Sequence, residues 1–209
     1  MQSFREILPT LAGMKTWDVT FEGKFNEQMD ATNNPQQATT VVATIDGSMC
    51  TFRGYQGFED EPYSEWVYWL PWRHGAVTRV PISELDRLGC RFFMTSLLTG
   101  CRFTESDGLL AHIAHTPAFD LAATSEGRDS AQRRHMHPTT SPRRQRVLSV
   151  SGAGVQFCPQ ASIISYGGPQ SDLYYGQAMV FGYVQRGTWY FQYAARRSAA
   201  DRWHWESFV

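Results

Sequence analysis

Cys101 and His112, eleven positions apart, are the pair in this sequence best suited to covalent chemistry. The cysteine closes the run Thr95-Ser96-Leu97-Leu98-Thr99-Gly100-Cys101. A hydroxyl-Gly-Cys turn leaving an apolar segment places the thiol at the edge of a core. Gly100 lets a substrate approach the backbone closely, and amides beside the cysteine, at the Thr99-Gly100 turn, can form an oxyanion hole. A thiol titrates near ~8.5 and is a poor nucleophile at neutral pH until an imidazole pairs with it. Once paired, the thiolate can attack a carboxamide carbon while His112 protonates the departing ammonia. Thr95, six residues upstream, is the candidate for the third member that orients the imidazole.

These residues need a scaffold that brings them together. Residues 101–105 and 109–114 read as two strands around Ser106-Asp107-Gly108. A two-residue loop at Ser106-Asp107 sets Cys101 directly opposite His112. A loop at Asp107-Gly108 sets Cys101 opposite Ala114 and leaves His112 one diagonal step away. In both registers thiol and imidazole share a face, roughly 5–8 Å apart between Cβ atoms. A three-residue loop breaks the relation.

Strand signals dominate the rest of the chain. Trp17 to Glu22 alternates with period two, and Thr39 to Ile45 is a β-branched run stopped by Asp46-Gly47, with Met49 to Phe52 returning as a hairpin. Trp66 to Leu70 is an aromatic strand ended by Pro71. Val147 to Val150, Ser162 to Tyr166, Ala178 to Val184 and Trp189 to Ala194 read as further strands, with Arg186-Gly187 as a turn. The run from Cys90 to Leu98 fits strand or helix. Helices are few: one over residues 3–13, and a short one N-capped by Ser83 and running to Leu88. The expectation is one α/β (α+β) domain spanning 1–209: a strand-rich mixed β-sheet sandwich with flanking helices and long loops.

Composition bounds the function. The chain has 209 residues, 42% hydrophobic and 14% aromatic, with 19% charged and a net charge of −1. A chain of this length buries about 70% of its unfolded surface, enough for a core without metal or disulfide staples. The near-neutral charge gives no electrostatic footprint for nucleic acid or a membrane surface, and no run reaches the roughly 20 apolar residues of a membrane helix. The first residues lack the basic and apolar pattern of a Sec signal. Four cysteines (Cys50, Cys90, Cys101, Cys158) are too few for a disulfide scaffold and read as reduced thiols.

The segment Trp69-Leu70-Pro71-Trp72-Arg73-His74-Gly75, then Phe92-Phe93-Met94-Thr95 through Gly100-Cys101, then His112-Ile113, resembles the glutamine-deamidase toxins typified by the Burkholderia lethal factor. Gly176-Gln177-Ala178 and Tyr190-Phe191-Gln192-Tyr193-Ala194 extend the resemblance. It covers residues 66–115 and 176–206, and reaches on to the catalytic domain of the cytotoxic necrotizing factors and, more remotely, the chemotaxis receptor deamidase. The toxins usually carry Leu-Ser-Gly-Cys where this chain has Leu98-Thr99-Gly100-Cys101, so the hydroxyl is kept. The Cys-to-His spacing is one residue shorter than in the lethal factor. The resemblance implies catalytic roles for Cys101, His112 and Thr95 and no cofactor. It implies a host protein as substrate, with one glutamine converted to glutamate through a thioester. The lethal factor's target is a translation-initiation DEAD-box helicase, which makes inhibition of translation the expected effect. Delivery without a Sec signal, action in the host cytosol and a monomeric state complete the expectation.

Other residues compete for attention. Arg128, Arg133, Arg134, Arg143, Arg144 and Arg146 sit in a polar stretch over 124–146 without interleaved aromatics, so a solvated loop is expected rather than a nucleic-acid site. His135 and His137 lack carboxylate or thiol partners for a zinc site. His115 is the second-choice base, because its odd offset turns it to the opposite sheet face. Trp66, Trp69 and Trp72 belong to the core or wall the site. Three other functions stay open: a non-catalytic protein-binding module on the same fold, a transglutaminase, and a cysteine protease.

Overall fold

The computed structural model describes residues 16–23, 37–46, 49–54, 64–73, 76–98, 101–106, 108–113, 145–149, 177–196 and 202–207. The strands are β1 (Thr16–Gly23), β2 (Gln37–Asp46), β3 (Met49–Gly54), β4 (Glu65–Leu70), β5 (Val77–Pro81), β6 (Phe92–Thr95), β7 (Arg102–Ser106), β8 (Leu109–Ile113), β9 (Gln145–Ser149), β10 (Gln177–Gln185), β11 (Thr188–Arg196) and β12 (Trp203–Ser207). Among the described residues one helix, α1 (Ile82–Arg87), stands between β5 and β6.

Eight strands close on themselves in the order β1-β12-β11-β10-β6-β4-β2-β3, and four form a separate antiparallel sheet, β5-β8-β7-β9. The larger sheet is mixed, with β1 parallel to β3 and β4 parallel to β6. The strand-rich α+β expectation holds, and the closing of the larger sheet into a barrel adds what the sequence pattern does not specify.

Period-two alternation sorts the apolar residues into two cores. Val41 and Ala43, Cys50 and Phe52, Val67 and Trp69, Phe92 and Met94, and Met179 and Phe181 turn into the barrel with Ala194 and Trp203. Their neighbours Tyr68, Leu70, Phe93, Ala178, Val180, Phe191 and Tyr193 point outward, where they meet Val80, Phe103 and Leu110 of the small sheet. An eight-stranded barrel has an interior that side chains fill, so its outer wall is free to carry a second layer.

Phe93, Phe103 and Phe191 join the two layers, with ring centroids 5.9 Å (Phe93–Phe103), 5.8 Å (Phe93–Phe191) and 6.1 Å (Phe103–Phe191) apart. Gly182 lies on β10 between Phe93 and Phe191 in the ladder. A Cβ there would stand 2.8 Å from Cε1 of Phe191 and 3.1 Å from Cβ of Phe93. Gly182→Ala is therefore expected to lower stability by about 1–3 kcal/mol through overpacking. A urea midpoint unchanged from wild type would show that the aromatic cluster yields freely.

The hairpins follow their turn residues. β2 and β3 pair as expected, closing at Asp46↔Met49. Between β10 and β11, Arg186 (φ 52) and Gly187 (φ 78) form the two-residue turn of the kind whose twist matches paired strands. The ambiguous run from Cys90 to Leu98 contains β6, a strand.

Ser83 is not the N-cap of α1. The helix begins at Ile82, Pro81 holds the cap position in an extended conformation, and no side chain caps it. The amide of Ile82 instead donates to the carbonyl of Gly108 at 2.7 Å, which ties the helix to the β7–β8 turn. At the other end, Cys90 donates to the Leu85 carbonyl and Gly89 to that of Asp86, a Schellman closure.

Sequence reading missed β5 and β12. Gln145 and Arg146, placed in the long polar loop, belong to β9. The helix over 3–13, the strand over Ser162 to Tyr166 and the remainder of the Arg-rich stretch lie outside the described residues. Among the described residues no helix is long and apolar enough to cross a membrane.

Candidate active site

Hairpin register decides whether Cys101 and His112 can meet. β7 pairs with β8 through Ser106↔Leu109, Phe103↔His112 and Arg102↔Ile113. The loop is therefore Asp107-Gly108, the second of the two registers considered. The pairing ends at Arg102↔Ile113, one residue short of Cys101, and strand geometry puts His112 one diagonal step from it, on the order of 7–8 Å. Residues directly opposed across a ladder share a face, so Phe103 and His112 point the same way, and Cys101 precedes Phe103 by the strand period. Cys101, Phe103 and Leu110 indeed belong to one buried cluster between the sheet and the barrel.

His112 is the centre of the small sheet, flanked by Phe103 on β7 and Thr78 on β5. It is 0% exposed and Cys101 is 6% exposed. Burial alone pushes the imidazole down to about 3, since removal from water disfavours the charged ring. At neutral pH His112 is a neutral imidazole with one nitrogen donating and one accepting.

Its Nδ1 stands 3.4 Å from Oγ of Ser96. Its Nε2 has no hydrogen-bond partner among the described residues. Ser96 is itself fully buried and receives the amide of Trp72 at 2.6 Å. Its own amide donates to the Leu70 carbonyl at 3.1 Å, where β4 and β6 both end. The third member suggested by the sequence was Thr95. That residue is buried, and its Oγ1 accepts the amide of Val180 at 3.2 Å, a bond that ties β6 to β10. The hydroxyl beside the imidazole belongs to the next residue.

Ser96 is the functional candidate that sequence reading passed over. The available signal was a second hydroxyl inside the apolar run from Phe92 to Leu98, because a buried polar side chain requires a partner. The chain between Ser96 and the thiol is anchored midway, where Leu98 and Ala178 exchange amide bonds of 2.8 and 2.9 Å. Thr99 and Gly100, the candidate oxyanion turn, lie outside the described residues, as do His115, His135, His137 and Cys158.

Of the tryptophans, Trp69 fills the barrel. Trp66 and Trp72 pack against the layer between barrel and sheet, and Trp66 donates from Nε1 to the Leu88 carbonyl. Cys50 and Cys90 are buried among apolar residues. Burial pushes the Cys90 thiol up to about 12 and the Cys50 thiol further in the same direction. Neither supplies a thiolate at neutral pH. Among the described residues no three His, Cys, Asp or Glu side chains gather as a metal site would need.

No protein-family model matches the chain, and no curated protein matches it.

Proposed function

We propose that this protein is a glutamine deamidase in which Cys101 is the nucleophile and His112 the general base. The observation that carries the proposal is the β7–β8 register, which sets the buried His112 opposite Phe103, one strand period from Cys101. Nδ1 of His112 lies 3.4 Å from the Ser96 hydroxyl, and Nε2 has no hydrogen-bond partner among the described residues. On the proposed reading the thiol and Nε2 come within hydrogen-bond reach when substrate binds.

In the proposed reaction the Cys101 proton passes to Nε2 of His112 as the sulfur attacks the carboxamide carbon of a glutamine side chain. The carbon–nitrogen bond then breaks, and the imidazolium returns its proton to the leaving nitrogen, which departs as ammonia. A thioester remains on Cys101. Water attacks it with His112 as base, releasing glutamate and restoring the thiol. An amine in place of water would give transglutamination.

The small exposure of Cys101 favours a side-chain amide over a main-chain one. A glutamine carboxamide on its two-methylene stem can enter a recessed site, whereas a peptide bond brings flanking backbone with it. The resemblance in the segments around Thr95, Cys101 and His112 supports the same chemistry. It extends the proposal to a host regulatory protein in the cytosol, with a translation-initiation DEAD-box helicase as the first candidate.

The test is mass spectrometry of that helicase and of Rho-family GTPases after incubation with wild type and with Cys101→Ser. Deamidation adds about one mass unit at one glutamine and requires the thiol. A modified glutamine in the wild-type sample alone supports the proposal. Equal spectra from both would instead favour a non-catalytic binding module, with Cys101 as a core residue.

A further inference from the structure

We infer that Ser96 is a positioning residue that fixes the tautomer of His112, holding the proton on Nδ1 and the lone pair on Nε2. The inference rests on the deamidase reading for its kinetic consequence but not for its structural one.

A serine hydroxyl offers one hydrogen and two acceptor sites. The Trp72 amide takes one acceptor site of Ser96 at 2.6 Å, and Nδ1 of His112 stands 3.4 Å from the same oxygen. Two tautomers can satisfy that contact. If Ser96 donates to Nδ1, the ring proton sits on Nε2, which has no acceptor among the described residues. A buried N–H without an acceptor costs roughly 1–3 kcal/mol. If Nδ1–H donates to Ser96, the second acceptor site is filled and Nε2 presents only a lone pair. That lone pair lies on the face of β8 opposite Phe103, and an acceptor left open is the less rare of the two defects.

The origins of the two residues make the contact informative. His112 is carried by the β7–β8 hairpin of the small sheet, while Ser96 follows the last residue of barrel strand β6. Ser96 is pinned from both sides, by its amide on Leu70 and its oxygen on Trp72. A hydroxyl fixed in this way sets the ring rather than following it. Thr95 is not that contact: its oxygen accepts the amide of Val180 on β10, and the hydroxyl near Nδ1 is that of Ser96.

The experiment is long-range proton–nitrogen NMR of ring-labelled histidine in the full chain, with His112 assigned by its loss in His112→Gln. In wild type, Nδ1 is expected to resonate as a protonated nitrogen and Nε2 as an unprotonated one. In Ser96→Ala the pattern should shift toward the opposite tautomer or a mixture, and Ser96→Thr should restore it. On a deamidated substrate, Ser96→Ala is expected to reduce kcat about 10- to 100-fold with little change in KM. A wild-type spectrum showing the proton on Nε2 overturns the inference, and that outcome stands even where a variant fails to fold. So does an unchanged tautomer in a folded Ser96→Ala. Absence of deamidation with the tautomer shift intact would sink the enzyme proposal and leave the role of Ser96 standing.

Discussion

Cys101→Ala and Cys101→Ser are expected to reduce ammonia release from the target glutamine by about 10⁴-fold or more while leaving the protein folded. The size follows from the covalent route. Without a sulfur there is no thioester, and the residual rate is only what binding and oriented amides supply to water. A serine oxygen keeps the shape of the thiol but ionises far less readily. The structural cost is modest, because the alanine change removes one atom from a buried position, for about 1–2 kcal/mol. Thermal unfolding of wild type and both variants, run beside the ammonia assay, separates the two effects. A variant that melts with wild type and still deamidates would remove Cys101 from the mechanism. A variant that loses activity and fold together would point instead to a packing role.

The second large effect concerns acid. His112 is held at about 3 by burial, whereas an unfolded histidine titrates near ~6.5. Between those values the unfolded chain binds a proton that the folded chain excludes, so stability rises with pH across this window. It is complete above the unfolded value and is lost as pH falls toward the folded one. The slope approaches 1.4 kcal/mol per pH unit, or about 3 kcal/mol two units below the unfolded pKa. Every carboxylate adds its own acid dependence, so the measurement is a difference. Urea unfolding of wild type and His112→Gln between pH 4 and 8 should give curves that converge or cross as the acid end is reached. Parallel curves would mean that the imidazole protonates without unfolding the protein. Activity of His112→Gln, compared at pH 7.5, should fall by roughly 10²- to 10⁴-fold for loss of the base.

Local sequence pattern revealed the strands and the hairpin geometry, because both depend on neighbours in the chain. Asp107-Gly108 marks a two-residue turn, and a two-residue turn fixes which residues share a face with Cys101. The choice between Thr95 and Ser96 was of another kind. It turns on the Val180 amide, eighty-five residues downstream of Thr95, and on the Trp72 amide, twenty-four residues upstream of Ser96. Nothing in the alternation of a short apolar run encodes such partners. β5 escaped because Val77 to Val80 is short and ends at Pro81, and β12 because Trp203-His204-Trp205-Glu206 gives a β-leaning pattern over few residues. Barrel closure is likewise non-local, since each strand presents the same alternation in an open sheet as in a closed one.

That closure has a consequence in time. The barrel is sealed by pairing of Thr16 with His204 and Trp17 with Trp203, its first strand with its last. Contacts so distant along the chain carry the largest loop entropy and form late. Before β12 arrives, β1 and β11 each expose a bare edge, the kind that pairs with other chains. The β7–β8 hairpin bearing His112 is by then long synthesised, but the barrel wall on which it rests is still unsealed. Until the five residues of β12 pair with β1 and β11, the barrel stays open at that seam.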